Sequence, residues 1–304
     1  MANAKEIKRK IGSIKNTGKI TKAMELISTV KMKKAQDLAL EKRGFVLEML
    51  KIFLRVEDYL AKYPLFSKNE SKKGKTLGIV ITSNKGLCGG YNVNVMKRVS
   101  AYVKETGENI DYISIGRKAA QFIAKTGNNL IADFTEKFTD NIGPIFTKKI
   151  SNLIVEEYLS GKYNKVVIFY NYYVNTIKQI AVSEIFLPIE SEEIKQYLYD
   201  ILGYDDSLQK ELESMGGHAE YDVEPNPKEL MKGVIPMILD MMFYDTLLNA
   251  KASEHSSRMV AMKSAKDNSN RIAKTLTTKY NKARQAAITT EVSEITAGVE
   301  SMKG

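Results

Sequence analysis

Apolar residues recur at alternating steps of three and four at both ends of this chain, and nothing else in it constrains the fold as strongly. Near the C-terminus the stripe runs through Leu248, Ala252, His255, Met259 and Met262 and resumes at Ile272, Leu276, Tyr280, Ala283 and Ala287. Ile7, Ile11 and Ile14 start a similar stripe at the N-terminus, and Phe45, Met49, Ile52, Val56 and Tyr59 carry it on. Such spacing keeps one face of an α-helix apolar, and over many turns it makes a coiled-coil seam. Two long helices that each need a partner pair most simply with each other, as an antiparallel rod that brings the termini together. The first is expected over residues 4–63, ending before Pro64, which cannot continue it. The second starts near Lys228 and accommodates Pro236. Gly12, Gly18 and Gly44 interrupt the first helix. Each costs about 1 kcal/mol of helix propensity relative to Ala and opens room for another helix to approach.

Charge follows the same division. The formal net charge is +10, of which residues 1–43 carry +8 and residues 251–304 carry +5, leaving the middle at −3. The rod is basic and the middle is not. A charge run is usually a solvated face, but here the seam stays apolar while cations crowd the other faces, which suits an acidic or polar partner around the rod. No apolar run reaches the 18–20 or so residues that cross a bilayer. Helical periodicity begins at Ile7, so neither a signal core nor a transit peptide is expected before it. Cys88 is the single cysteine, which excludes an intrachain disulfide and fits a reducing compartment.

Between the ends the pattern changes. Thr76–Thr82, Asp111–Ile115, Leu130–Phe134, Lys165–Tyr170 and Gln179–Phe186 are short β-branched runs. Helical stretches at about 92–105, 116–125 and 144–159 alternate with them. Strands alternating with helices imply an α/β layer structure, part parallel and part antiparallel. The expected fold class is therefore α/β: a long antiparallel coiled coil of the N- and C-terminal helices plus a central Rossmann-like α/β domain. The expected divisions are an N-terminal coiled-coil helix over 1–63, a linker over 64–75 and the α/β domain over 76–190. A polar, acidic connection over 191–227 and a C-terminal coiled-coil helix over 228–304 complete the chain.

Residues with catalytic potential are sparse. The turn KGLCGG (Lys85–Gly90) follows a strand but has neither Walker nor GxGxxG spacing. GSIKNTGK (Gly12–Lys19) has five residues between its glycines and is followed by Ile20 where a magnesium-binding Ser or Thr would stand; it also lies within a helix. Gly86, Gly89 and Gly90 read best as a tight strand-to-helix turn. Cys88 has no nearby His or second Cys, the histidines are His218 and His255 alone, and no carboxylate pair is placed for acid–base work. No cofactor, no metal and no catalytic residue are expected, and the chain does not read as an enzyme by itself. A basic coiled coil that binds nucleic acid is the alternative from another class; the scatter of cations around the rod and the lack of an aromatic platform speak against it.

Three segments carry a family resemblance. AKEIKRKIGSIKNTGKITKAMELISTVKMKKAQ (Ala4–Gln36), the turn KGLCGG, and ASEHSSRMVAMKSAKDNSNRI with YNKARQAAITTEVSEITAG (within Ala252–Gly298) closely resemble the γ subunits of F-type ATP synthases. The central-stalk subunits of vacuolar and archaeal-type ATPases share the rod but not the CGG domain. The resemblance implies a rotating central stalk. Its paired helices would lie within a hexamer of α and β subunits. Its α/β domain would stand against the ε subunit and the membrane c-ring. Proton flow would turn the ring and this subunit with it, and the asymmetric rod would impose a different conformation on each catalytic β subunit. Nucleotide binding and catalysis would belong to the partners, nucleic acid would not be one of them, and membrane association would run only through the c-ring.

Carried over by motif, Met24 in KITKAME resembles the residue near an acidic loop of β, and Arg258 in SSRMVAMK with Glu294 in EVSEI resemble its buttresses. Arg284 and Gln285 in NKARQAAIT, with Thr289, resemble the contact to a catch loop of β. Tyr221 and Glu224 in EYDVEP resemble the foot against the c-ring and ε, and Gly86, Cys88, Gly89 and Gly90 form the family's central turn. Val299 follows Gly298 where the family usually has alanine, and 191–219 is longer than in bacterial members. The plastid form carries a regulatory cysteine pair; with Cys88 alone no thiol switch is expected. A bacterial cell-membrane enzyme, with this subunit peripheral on the cytoplasmic side, is the expected setting.

Overall fold

The computed structural model describes residues 2–41, 45, 48–49, 52, 65–66, 75–140, 142–190, 193–194, 196–197 and 226–302. The chain divides into two compact units, one of residues 1–29 and 258–304, the other of residues 30–257. Helix α1 (Ala2–Leu40) and the last helix, α5 (Pro227–Ser301), each contribute to both. Tyr221 and Glu224 lie outside the described residues, as do most of the expected linker and acidic connection.

The larger unit is built on one sheet. In chain order it holds β1 (Lys75–Ile81), α2 (Tyr91–Thr106), β2 (Ile110–Ile115), α3 (Arg117–Thr126), β3 (Leu130–Asp133), α4 (Pro144–Leu159), β4 (Tyr163–Tyr173) and β5 (Gln179–Leu187). The strand order is β3-β2-β1-β4-β5, parallel except for β5, which runs antiparallel to β4. Alternation along the strands sends residues to two different cores. Leu77, Ile79 and Ile81, with Ile113, Ile115, Val166 and Ile168, face a large apolar cluster that includes Ile150, Ile154 and Tyr158 of α4. The lower part of α5 joins it through Ile235, Ile238, Leu239, Phe243 and Leu247. Val80, Tyr112, Val167 and Phe169 face the opposite way, onto Val95, Val99 and Tyr102 of α2 and Ile123 of α3. Gly78 leaves room for Tyr112, whose ring atoms would lie 3.0 Å from an added Cβ.

Strand β4 runs on to Tyr173, beyond the expected Tyr170, because the hairpin closes tightly. The Asn175 side-chain oxygen accepts from the Ile177 and Lys178 amides at 2.9 Å, which turns the chain straight back into β5. Met49 is buried in the large cluster and Ile52 packs against it. These two apolar positions therefore serve the α/β body; Val56 and Tyr59 lie outside the described residues. Helix α5 continues through Pro236. No described helix is long and apolar enough to cross a membrane.

Candidate functional site

The smaller unit pairs the N-terminal part of α1 with the C-terminal part of α5. A Cβ on Gly18 would stand 3.5 Å from the Ser269 Cβ, and Lys266 Nζ lies 2.8 Å from Glu25 Oε2. As the number rises on one helix it falls on the other, so the helices are antiparallel. Half-buried and buried positions on α1 follow one heptad stripe: Ile7, Ile11, Ile14, Gly18, Thr21, Glu25 and Ser28. The facing stripe on α5 is Met262, Lys266, Ser269, Ala273, Leu276, Tyr280, Ala283 and Ala287. The seam thus runs unbroken where the sequence shows an apolar gap after Ile14. Small residues fill that gap: Gly18 lets Ser269 approach, and the Thr21 and Ser28 hydroxyls donate back to the carbonyls of Gly18 and Met24 at 3.1 and 2.7 Å. Gly12 has open space around it and has no close-approach role; Gly44 lies outside the described residues.

Met24 is half-buried at the border of this seam, one residue before the Glu25–Lys266 pair. That pair is mostly enclosed, and Glu25's hydrogen bond holds the Lys266 ammonium above its ordinary range. Arg258 is buried, eight residues before Lys266 and so about 12 Å along α5. Glu294 stands 36 residues beyond Arg258, about 54 Å along the same helix, so it is not beside Met24. Arg284, Gln285, Thr289 and Glu294 are all exposed; the Thr289 hydroxyl donates to the Gln285 carbonyl at 3.0 Å. Thr289, Thr290, Ser293 and Glu294, with Ala286 and Ala297, line one open face of a single helix. Ile288, Val292, Ile295, Val299 and Met302 are exposed on that last stretch as well.

The central turn KGLCGG links β1 to α2. Leu87 and Gly89 sit at φ 60° and 57°, Leu87 is 64% exposed, and Cys88 is buried. The Asn92 amide donates to Cys88 Sγ at 3.2 Å and to Ser83 Oγ at 2.8 Å, fastening the turn to the end of β1. Tyr91 is buried and its hydroxyl donates to the Ala250 carbonyl of α5 at 3.0 Å. In a doubly wound sheet, ligands bind beyond the carboxyl ends of the strands, at the N-termini of the following helices. At α3, protein groups fill that position. The Arg117 amide at the start of α3 donates to Asn84 Oδ1 at 2.9 Å, and the Ala119 amide donates to Thr82 Oγ1 at 2.7 Å. Gly116, at φ 106°, lets the two strands' ends meet; an added Cβ would lie 2.1 Å from the Thr82 carbonyl oxygen. The internal cap Thr82-Ser83-Asn84 stands in the sequence just before the glycines, where its polar residues look like ordinary turn formers.

Comparison with known proteins gives a consistent result. The family model described as ATP synthase matches residues 3–302. An ATP synthase gamma chain of Opitutus terrae is 36% identical over 98% of each chain, and one of Akkermansia muciniphila is 33% identical over 100% of each. Among solved structures, a chain of the Euglena gracilis mitochondrial ATP synthase, in its OSCP/F1/c-ring assembly in rotational state 3, superposes with a TM-score of 0.64. It is 18% identical, and the match covers 99% of this chain and 95% of that one.

Proposed function

The chain belongs to the ATP synthase gamma family, and from that premise we propose that it is the rotating central-stalk γ subunit of an F-type, proton-translocating ATP synthase. The observation that carries the reading is likeness over the full length, joined to an antiparallel helix pair whose seam is closed by small residues. Its partners are the α and β subunits of the catalytic hexamer, the ε subunit and the c-ring. The paired helices turn inside the hexamer and impose a different conformation on each β subunit in turn. The exposed residues Arg284, Gln285, Thr289 and Glu294, with Met24 and Arg258, are its contacts to β or their supports. Tyr221 and Glu224 are its contacts to the c-ring and ε, and Gly86, Cys88, Gly89 and Gly90 form the central turn that joins β1 to α2. Catalysis resides in β, and this subunit holds no cofactor.

The caps that Asn84 and Thr82 place on the first amides of α3 are in keeping with that division of labour. The curated relatives are bacterial, which supports a peripheral place on the cytoplasmic side of a bacterial cell membrane. Domain limits of 1–63, 64–75, 76–190, 191–227 and 228–304 remain our proposal for how rod, body and foot are apportioned. Co-expression with α, β and ε subunits tests the reading. A complex that contains this chain, and whose ATP-driven proton pumping needs it, is expected; failure to copurify with α and β overturns it.

A further inference from the structure

Within the larger unit, α5 and α1 are fastened to the α/β body very differently. Helix α5 buries Ile235, Ile238, Leu239, Phe243 and Leu247 in the large core. Above them it is stitched to the hairpin of β4 and β5. The Tyr173 amide donates to Asn249 Oδ1 at 2.6 Å, and Ser256 Oγ donates to the Thr176 carbonyl at 2.7 Å. The α1 segment from Val30 onward has Met32, whose sulfur accepts from the Tyr173 hydroxyl at 4.0 Å, and Lys31, whose ammonium lies 2.6 Å from Asp140 Oδ2. Asp140 stands in the stretch between β3 and α4, and its other oxygen faces α5. His255 Nε2 lies 3.2 Å from Asp140 Oδ1, and Lys251 Nζ lies 3.8 Å from it. Lys251 is held in turn by Glu254 at 3.2 Å and by the Phe138 ring at 3.9 Å from its centroid. Beside these contacts is a cavity of about 260 Å³, with Lys34, Ala35 and Leu38 on one wall and Leu248, Lys251 and His255 on another. Met32 and Ala35 of α1 are buried, Ala35 beside this cavity, so apolar packing and the charged contacts hold the segment together.

We propose that Asp140 is a positioning residue for rotation: an anionic tie that fastens the Lys31 turn of α1 and the Lys251–His255 turn of α5 to the α/β body, so that torque passes between helices and body through both helices at once. Several features serve that role. One carboxylate with two oxygens bridges cations on two different helices, which a neutral residue of the same size cannot do. Lys251 and His255 are themselves buried. The hydrogen bond from His255, with those of Lys31 and the charge of Lys251, holds the Asp140 carboxyl well below the usual carboxylate range, so the tie is anionic at any working pH.

The torque role rests on the rotor reading; the tie itself does not, and the two are tested apart. In the purified full-length chain, Asp140→Ala and Asp140→Asn should speed amide hydrogen exchange over residues 30–40 about ten-fold or more, while residues 235–247 of α5 keep wild-type protection. Asp140→Glu, which keeps the carboxylate, should restore much of the protection. Unchanged exchange in the alanine and asparagine variants overturns the tie. In assembled complexes verified to contain the subunit, Asp140→Asn should leave ATP hydrolysis within about two-fold of wild type while protons pumped per ATP fall about three-fold or more. Faster exchange with an unchanged pumping ratio overturns the torque role. A wild-type chain that assembles with no α and β subunits overturns the rotor reading and the torque role together, and the exchange result alone then decides the tie.

Discussion

Tyr163 of β4 and Asp111 of β2 meet across the amino end of β1, and their bond shows how a buried charge is kept in this protein. The Tyr163 hydroxyl donates to Asp111 Oδ2 at 2.9 Å, and Lys75 Nζ lies 3.3 Å from the other oxygen. Burial pushes the Asp111 carboxyl up, but hydrogen bonds from Tyr163, Asn129 and Lys75 outweigh it and hold the group below its ordinary range. Burial first, and Asp111 second, push the Tyr163 phenol up to about 12. The two signs define two pH windows. Asp111 binds protons more readily when unfolded, so its stabilisation is present above about pH 4 and is lost as pH falls through the folded value. Tyr163 holds its proton more tightly when folded, so its share is present below about pH 10 and is lost on the way to pH 12. Tyr163→Phe should cost about 1.5–3 kcal/mol near neutral pH, the worth of a hydrogen bond to a buried charge. It should also flatten the loss of stability between about pH 10 and 12. Denaturant unfolding across the pH range checks both. Met24 poses a different question at the same scale. Met24→Lys adds a long cation at the seam border, where the proposed acidic loop of β would pair with it and resist release at each step. Proton pumping per ATP is expected to fall while assembly persists, and an unchanged ratio would count against the contact.

At the scale of the helix pair, two glycines that look alike in the sequence behave differently. Gly12 faces open space, whereas Gly18 faces Ser269 across the seam. Gly12→Ala should therefore stabilise the chain by about 0.5–1 kcal/mol, through helix propensity and a less flexible unfolded chain. Gly18→Leu should do the reverse: its extra carbons have no room beside Ser269, and overpacking of this kind costs about 1–3 kcal/mol. Paired thermal-unfolding curves for the two variants decide whether the seam is as close as the 3.5 Å approach indicates. Within the sheet, Gly116 is held to glycine by the Thr82 carbonyl and by its positive φ, so Gly116→Ala should be among the least tolerated changes in the body.

The proposed rotor acts through other proteins. Mg-ATP should therefore show no saturable micromolar binding to the purified chain, because KGLCGG has neither Walker nor GxGxxG spacing and GSIKNTGK lies within a helix. Calorimetric titration tests this. Duplex DNA should bind weakly with a steep salt dependence, as expected of a chain with net charge +10. A tight, sequence-specific site at physiological salt would favour nucleic-acid recognition instead. In the assembled complex, Arg284→Leu and Gln285→Leu should lower steady-state ATP turnover while leaving single-site nucleotide affinity in β nearly intact. Contacts made in one rotational state and not in the next act through the difference between states. Full turnover by both leucine variants would mean that these exposed side chains merely solvate the helix.

Periodicity is a local property, and much that rests on it was legible in the sequence: helices at the two ends, their antiparallel pairing, and alternating strands and helices between them, although α1 ends at Leu40 and not at 63. The stripe from Leu248 to Ala287 is read without its partner, save that Ile272 is exposed and Ala273 takes its place in the seam. Family likeness added which proteins such a rod resembles. Tertiary structure decided what depends on neighbours far along the chain. Thr21 and Ser28 belong to the seam although neither is apolar, because a close approach at Gly18 suits small residues there. Met49 carries the spacing of the rod yet lies in the core of the body. Asn84 looks like a turn residue and is the cap of a helix that begins 33 positions later. Asp140 meets Lys31 across 109 positions, and no spacing in the sequence announces the pair. A one-dimensional pattern records which face of an element is apolar; which polar group will find which partner is settled only when the elements are packed.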